Sequence, residues 1–254
     1  MLKLFRILIL AFIFISSGIM AQSAQNKQEN ISDMALKERL SGINSSFQNE
    51  ESASRFWYWG FLSLYTVGTA AQLTLFFNAS NIERGTDKTK RDHFQQDMMT
   101  GAITTGLGAI FMAISPMPSM YARNILATMP DDTADSRMAK LRKAEDLLRD
   151  SAQWEADNTS LLMHSANFAV NLAAGLVIWL AFNRPVLDGL ITFLPGFAIG
   201  EIMIFTQPVS SMSDWRKYDS KYNSKVSYDY RNKKEENRLH IAAAPGGLMA
   251  IYEY

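Results

Sequence analysis

The chain has 254 residues, of which 48% are hydrophobic, and its 25 basic residues are balanced by 25 acidic ones. Because the net charge is zero, no overall field attracts nucleic acid, and we expect no nucleic-acid partner. The absence of cysteine excludes disulfides and lipid attachment through a cysteine. Apolar stretches alternate with heavily charged connectors, a contrast typical of a membrane protein with several spans.

Residues 1–21 predict a signal peptide. Lys3 and Arg6 form a positive start, residues 7–15 an apolar core, and small residues lead to a cleavage site after Ala21. The alternative is an uncleaved anchor helix. An exported chain without disulfides favours a bacterial cell envelope. We therefore expect an integral membrane protein with an exported N-terminus, in the inner membrane rather than the outer one.

Residues 22–55 predict an exported amphipathic helical segment. Ser32 is a candidate N-cap, and Arg39 is among the charged residues expected off the apolar face. The apolar residues of that face are Leu36, Leu40, Ile43 and Phe47. The segment is interpreted as a helix packed on its own bundle, with a partner-binding or membrane-surface helix as the alternative.

Four apolar stretches within residues 56–208 predict membrane-spanning helices. They cover residues 56–77, 100–117, 161–182 and 187–207. Each approaches the roughly 20 residues that a helix needs to cross a bilayer. The short turn at residues 183–185 makes the last two helices antiparallel neighbours. We therefore predict an all-α membrane protein, a four-helix bundle of two helical hairpins whose first partner is the lipid bilayer.

Small residues recur at helical spacing on the second and fourth spans, as expected where another helix approaches closely. The candidate packing residues are Gly101, Thr104, Gly108, Gly189, Thr192, Gly196 and Gly200. The first three align with Gly189, Thr192 and Gly196, so the two hairpins are a candidate parallel repeat.

Ionisable and amide side chains on the last two spans form a candidate polar seam. His164, Asn167 and Asn171 share one face of the third span, and Glu201 lies on the fourth span beside Gly200. One interpretation is a site for a proton, an ion or a small ligand, in which Glu201 and His164 titrate. The other, which we favour, is a packing seam whose amides bond across helices and whose Glu201 reaches water.

The connectors and the tail are polar. Residues 133–157 predict a charged amphipathic helix that either continues into the third span or breaks at residues 157–159. Residues 209–254 form a polar, Tyr-rich tail, in which Val226, Tyr228 and Tyr230 alternate as in a strand. Pro245 and Gly246 suit a type II turn, so the tail is expected to end in a small β-hairpin.

The charge distribution conflicts with the orientation that export implies. An exported N-terminus would place the charged connector and the tail outside, yet these carry most of the Lys and Arg residues. Basic residues usually stay on the cytoplasmic side of the membrane. The alternatives are that long exported segments escape the rule, that the helices form a buried core, or that they lie in another envelope membrane.

No motif indicates catalysis, a cofactor or a metal. The 3 histidines are isolated in sequence, and His93 with Asp97 four residues later supplies only two metal ligands. Phosphate-binding and nucleophile motifs are absent. We therefore expect a non-enzymatic protein with a structural or assembly role, whose partners are other envelope proteins or a second copy. The alternatives are a small transporter or channel component that uses the polar seam and, in third place, an enzyme.

Overall fold

The computed structural model describes residues 32–82 and 87–222, and the backbone of residues 239–244 and 247–252. The signal peptide predicted at residues 1–21 lies outside these ranges. The helices are α1 (Asp33–Phe77), α2 (Ala79–Ile82), α3 (Lys88–Ile114), α4 (Ala122–Ala127), α5 (Ala134–Asn158), α6 (Leu161–Leu176), α7 (Val186–Phe205) and α8 (Ser210–Tyr222). A 3₁₀ turn at Pro118–Met120 precedes α4, and a π-helical turn at Val177–Ala181 extends α6.

Four helices are long and apolar enough to span a membrane: α1, α3, α6 with its π-helical turn, and α7. The helix α1 packs along α3, and α6 packs along α7, so the two predicted hairpins are confirmed. Large apolar side chains such as Leu64, Val67, Leu180 and Ile191 are more than half exposed on these helices. Such surfaces are compatible with an integral membrane protein.

The helix α1 runs without a break across residue 55, where the sequence analysis divides an exported segment from the membrane bundle. Its first half, residues 33–55, packs against α5 and α8, and these three elements are called here the amphipathic bundle. Leu36 and Phe47 of α1 are buried, as are Leu141 and Leu148 of α5. The predicted amphipathic face of α1 is therefore confirmed.

Arg39 corrects one detail of that face. Its position in the sequence predicts that it lies off the apolar face, but only 9% of its surface is exposed. Its guanidinium lies 3.6 Å from Glu145 of α5 and 4.4 Å from the centre of the Tyr222 ring of α8. A long side chain with a carboxylate and an aromatic face beside it is stabilised inside an interface that its charge alone would disfavour.

Local signals set the ends of the helices. Asp87 accepts from the backbone N–H of Lys90 at 2.9 Å and so caps α3, and α3 ends at Ile114, just before the prolines at 116 and 118. The helix α5 ends at Asn158 and α6 begins at Leu161. Of the two alternatives for residues 157–159, the break is therefore the one observed.

Aromatic residues at the start of the first predicted span connect α1 to two other membrane-length helices. Trp57 and Tyr58 are buried, whereas their neighbours Phe56 and Trp59 are exposed. The Trp57 indole donates to the carbonyl oxygen of Met203 at 3.2 Å, and the Tyr58 hydroxyl donates to that of Met112 at 2.8 Å. Trp57 and Tyr58 therefore connect α1 to α7 and to α3.

Two features of the polar tail complete the described fold. The sequence did not predict the helix α8. Trp215, Tyr218 and Tyr222 recur along it at helical spacing, with Tyr218 in ring contact with both of the others. The strands β1 (Leu239–Ala244) and β2 (Gly247–Tyr252) are antiparallel, with Leu239 opposite Tyr252. The predicted C-terminal β-hairpin stays a prediction, because its turn and the segment that joins it to α8 lie outside the described residues, as do residues 226–230.

Candidate functional site

The four residues of the predicted polar seam come together between α6 and α7. His164 Nδ1 lies 2.7 Å from Glu201 Oε2, and the Asn167 amide donates to Glu201 Oε1 at 2.9 Å and to the carbonyl oxygen of Phe197 at 3.0 Å. Asn171 donates to Asn167 at 2.9 Å. Both oxygens of Glu201 therefore have a partner on the neighbouring helix. This arrangement holds α6 against α7 through side-chain hydrogen bonds.

Glycines of α7 make room for these amides. A Cβ added to Gly200 would collide with the Asn167 carboxamide, and one added to Gly196 would collide with that of Asn171. The absence of a side chain at these two positions therefore allows the amides to lie flat against α7. At Gly200, the close packing of the two helices and the hydrogen bonds from Asn167 therefore belong to the same contact.

Further along the same hairpin the two backbones touch. A Cβ on Gly175 would lie 2.7 Å from the carbonyl oxygen of Gly189, and one on Gly189 would lie 2.6 Å from that of Gly175. Backbone atoms have no rotamers with which to move aside, so this contact requires glycine on both helices.

The first hairpin repeats this arrangement with other partners. A Cβ added to Gly101 would collide with Gln72, and one added to Gly108 would lie 2.8 Å from the Tyr65 ring, both on α1. In both hairpins the predicted glycines of the second helix face the first helix. The parallel repeat of the two hairpins stays a prediction.

The threonines behave differently from the glycines. Thr104 donates to the carbonyl oxygen of Gly101 at 2.9 Å and Thr192 donates to that of Asp188 at 3.1 Å, each within its own helix. Thr105, beside Thr104, instead donates to Gln72 of α1 at 2.9 Å. The hydroxyl that connects the first hairpin is thus one residue away from the predicted one.

A buried arginine connects the two hairpins at the turn between α6 and α7. Arg184 donates to Asp97 of α3 at 2.5 Å, to the carbonyl oxygen of His93 at 3.3 Å and to Asp188 at 2.8 Å. Its side chain is 8% exposed. Asn183, with a φ of 53°, makes the tight turn that directs Arg184 towards α3.

The amphipathic bundle contains a buried pair of carboxyl groups, Glu50 of α1 and Glu155 of α5. Their exposed fractions are 3% and 0%. The hydroxyls of Ser210 and Ser211 donate to Glu50 at 2.7 and 2.6 Å. The backbone N–H groups of Ser211 and Met212 donate to Glu155 at 3.2 and 2.9 Å. Burial and the neighbouring Glu50 carboxyl raise the pKa of Glu155 to about 9.

A second polar contact connects α5 and α8. The Tyr218 hydroxyl donates to Glu145 in a short hydrogen bond. Burial, followed by the nearby Glu145 carboxylate, raises the pKa of Tyr218 above its usual value. The phenol therefore stays protonated and remains a donor to the carboxylate.

The remaining candidates from the sequence do not assemble a centre for chemistry. In the described ranges no three His, Asp or Glu side chains come close enough to hold a metal ion. Asp97, the predicted neighbour of His93, is engaged by Arg184. The polar seam is therefore the part of the predicted site whose members the structure brings together.

The two buried acids lie in phase with apolar stripes in the sequence. Glu50 follows Phe47 by three residues on the apolar stripe of α1, and Glu155 follows Ala152 by three on the stripe of α5. An acidic residue in phase with a buried stripe is a candidate buried group. Arg184 had no comparable signal, because its partner on α3 is 87 residues away.

Comparison with known proteins gives no relative. No known protein family matches the chain, and neither a curated protein nor a solved structure matches it.

Proposed function

We propose that the chain is a non-enzymatic integral membrane protein of the bacterial cell envelope with a structural or assembly role. The observation that carries the proposal is that the polar groups of the seam make hydrogen bonds to one another and to the neighbouring helix. Asn167 donates from α6 to Phe197 and Glu201 of α7, and Asn171 donates to Asn167 within α6. A polar group engaged in this way stabilises a helix pair and has less freedom to bind a transported ligand.

The continuity of α1 gives further support. A single helix of 45 residues belongs both to the amphipathic bundle and to the first membrane hairpin. A helix of that length is about 65 Å long, more than twice the thickness of a hydrocarbon core. Such a helix fixes the position of the amphipathic bundle relative to the membrane hairpin, as a scaffold requires.

The finer parts of the proposal come from the sequence. Residues 1–21 act as a cleaved export signal, the spans lie in the inner membrane, and the partners are other envelope proteins or a second copy. The two hairpins form a parallel repeat, and the tail ends in a β-hairpin. N-terminal sequencing of the purified protein tests the first of these statements: the chain begins at Gln22, and a chain that begins at Met1 contradicts cleavage.

An assembly role is tested by native electrophoresis of solubilised cell membranes. We expect the protein to migrate as one discrete complex larger than the purified monomer, and Glu201→Gln to leave the complex intact. Gly189→Leu should lose it, because the α6–α7 contact has no room for a side chain. A protein that migrates as the monomer in membranes contradicts an assembly role.

A small transporter or channel component is the second candidate. The observation that favours it is the His164–Glu201 pair, which sits between two spans with 27% and 18% of the side chains exposed. An acid and an imidazole at hydrogen-bond distance resemble the relays that move protons in membrane proteins. This candidate requires a proton flux that depends on Glu201.

A further inference from the structure

The most unusual group outside the seam is the carboxyl pair of Glu50 and Glu155, which the proposed function does not use. Both residues are buried, and in the part of the chain that the structure describes no Lys, Arg or His lies within ion-pair distance of either one. Two neighbouring buried carboxyls disfavour double ionisation. One of the two groups therefore retains a proton at neutral pH, as in other close carboxyl pairs.

The partners of this pair come mainly from the beginning of α8. Ser210 and Ser211 donate their hydroxyls to Glu50, and the first backbone N–H groups of α8 donate to Glu155. The Ser54 hydroxyl of α1 also donates to Glu50, at 3.3 Å. A helix N-terminus with two adjacent hydroxyls suits a single negative charge shared by two carboxyls. A second negative charge would be repelled by the first in a site with no cation.

Charged groups on the surrounding elements are engaged elsewhere. Arg55 of α1 and Arg123 of α4 each lie 2.9 Å from Glu51, which points away from the pair to these two cations. On α8, Asp214 pairs with Lys217 at 3.2 Å. On α5, Asp157 accepts from Gln153 at 2.7 Å. The 3₁₀ turn contributes Ser119, which donates to Ser54 at 3.0 Å and carries no charge.

We propose that Glu50 and Glu155 share one proton and form a pH-sensitive latch, which holds the N-terminus of α8 on α1 and α5 and releases it when the proton is lost. The helix α8 follows α7 after a short link, so the latch controls the position of the segment just beyond the last span. The raised pKa of Glu155 agrees with this proposal. The latch does not depend on the structural role proposed for the polar seam.

The chain contains no cysteine, so two labels can be introduced without first removing native cysteines. We choose Lys143→Cys on α5 and Lys217→Cys on α8, both exposed positions, and measure the distance between attached spin labels by pulsed electron spin resonance. At about pH 6 we expect one short distance. As the pH rises through about 9, a second, longer distance should appear and become the main population.

The decisive variant is Glu50→Gln. Its amide oxygen accepts from Ser210 and Ser211, while its NH₂ group donates towards Glu155, so the pair never carries more than one negative charge. We expect the short distance at about pH 6, which also verifies folding, and a longer population at about pH 10 reduced roughly fivefold or more. Glu51→Gln is the matched control, since it removes a nearby carboxylate outside the pair, and it should titrate like the parent.

Two results would overturn the latch. The first is a distance distribution in the parent chain that does not change between about pH 6 and 10. The second is the same transition in Glu50→Gln as in the parent. If Glu50→Gln lacks the short distance at low pH, Glu155→Gln replaces it and is judged by the same criterion. Hydrogen exchange at the amides of Ser211 and Met212 provides an independent measurement, with faster exchange above the transition expected in the parent only.

Discussion

The carboxamide of Asn167 on α6 occupies the space that a side chain at Gly200 on α7 would need. In that position it donates to Phe197 and to Glu201. Displacing it therefore costs hydrogen bonds as well as packing. Packing and hydrogen bonding in the seam therefore depend on the same contact. A single substitution there should disturb both.

The glycine contacts of the second hairpin should be sensitive even to alanine. Gly189→Ala places a Cβ 2.6 Å from a backbone oxygen and should destabilise the protein by about 1–3 kcal/mol, the usual scale of overpacking. Gly60→Ala is the matched control, because nothing lies within 4 Å of its Cβ position. Alanine favours helix by up to about 1 kcal/mol, so the control should be neutral or stabilising. Thermal unfolding in detergent that gives equal melting temperatures for the two variants would remove the packing argument.

Arg184 should contribute more to the free energy of unfolding than a residue in an exposed turn usually does. Arg184→Gln leaves Asp97 and Asp188 without their shared cation, and we expect a loss of about 1–3 kcal/mol, since both carboxylates stay partly hydrated. Lys217→Gln breaks an exposed pair and should cost at most about 1 kcal/mol. Thermal unfolding of the two variants beside the parent chain measures the difference. Equal losses would show that burial adds nothing to the Arg184 contacts.

The hydroxyl of Tyr218 is expected to stabilise the amphipathic bundle. Tyr218→Phe removes a hydrogen bond to the Glu145 carboxylate in a partly buried site, for which a loss of about 1.5–3 kcal/mol is typical. Tyr222→Phe removes a similar bond, to Glu38 at 3.1 Å, at an exposed site and should have little effect. Unfolding followed by circular dichroism distinguishes the two. A larger effect for Tyr222→Phe than for Tyr218→Phe would contradict the buried placement of Tyr218.

Stability should depend on pH through Glu155. Its pKa is raised from 4.5 to about 9 by burial and by Glu50, so between these values the folded state holds one proton more than the unfolded state. The free energy of unfolding should therefore fall as the pH rises from about 5 to 9, by at most about 1.4 kcal/mol per unit. Melting temperatures measured across this range should decrease, and those of Glu50→Gln should decrease less. A melting temperature that increases with pH would contradict the sign.

Exposed carboxylates change the pH dependence of stability in the opposite direction at lower pH. Hydrogen bonds from Lys37, Lys221 and Lys140 lower the pKa values of their acidic partners. Those partners are Asp33, Glu38 and Asp131. Their contribution is present above their usual pKa range and is lost as the pH falls through the lowered values. The optimum is therefore expected near the lower end of the Glu155 window.

Local patterns predicted the elements that depend on local physics. The apolar lengths of the four membrane-length helices, the Leu36–Phe47 face and the placement of His164 near Glu201 all follow from helical periodicity and the short turn between the last two spans. The π-helical turn at Val177–Ala181 had no such signal. Its residues have the pattern of an ordinary apolar helix.

Contacts between distant segments could not be read from the sequence. The burial of Arg39 depends on Glu145 and Tyr222, which come from two other helices. The Glu50–Glu155 pair requires the relative rotation of α1 and α5, and most of its hydrogen-bond donors come from the beginning of α8. Periodicity placed each glutamate on a buried stripe, but only tertiary packing decides that the two meet. The same reason explains why α8 itself was missed.

The central claim is that the His164–Glu201 seam is a packing contact between helices and not a path for protons. Proton flux into liposomes containing the purified protein, measured together with the melting temperature of the parent chain and of Glu201→Gln, tests it most directly. We predict that neither protein gives a flux above that of empty liposomes, and that Glu201→Gln shifts the melting temperature by no more than about 4 °C, the equivalent of about 1 kcal/mol. A flux in the parent chain that Glu201→Gln abolishes at unchanged melting temperature would contradict the claim.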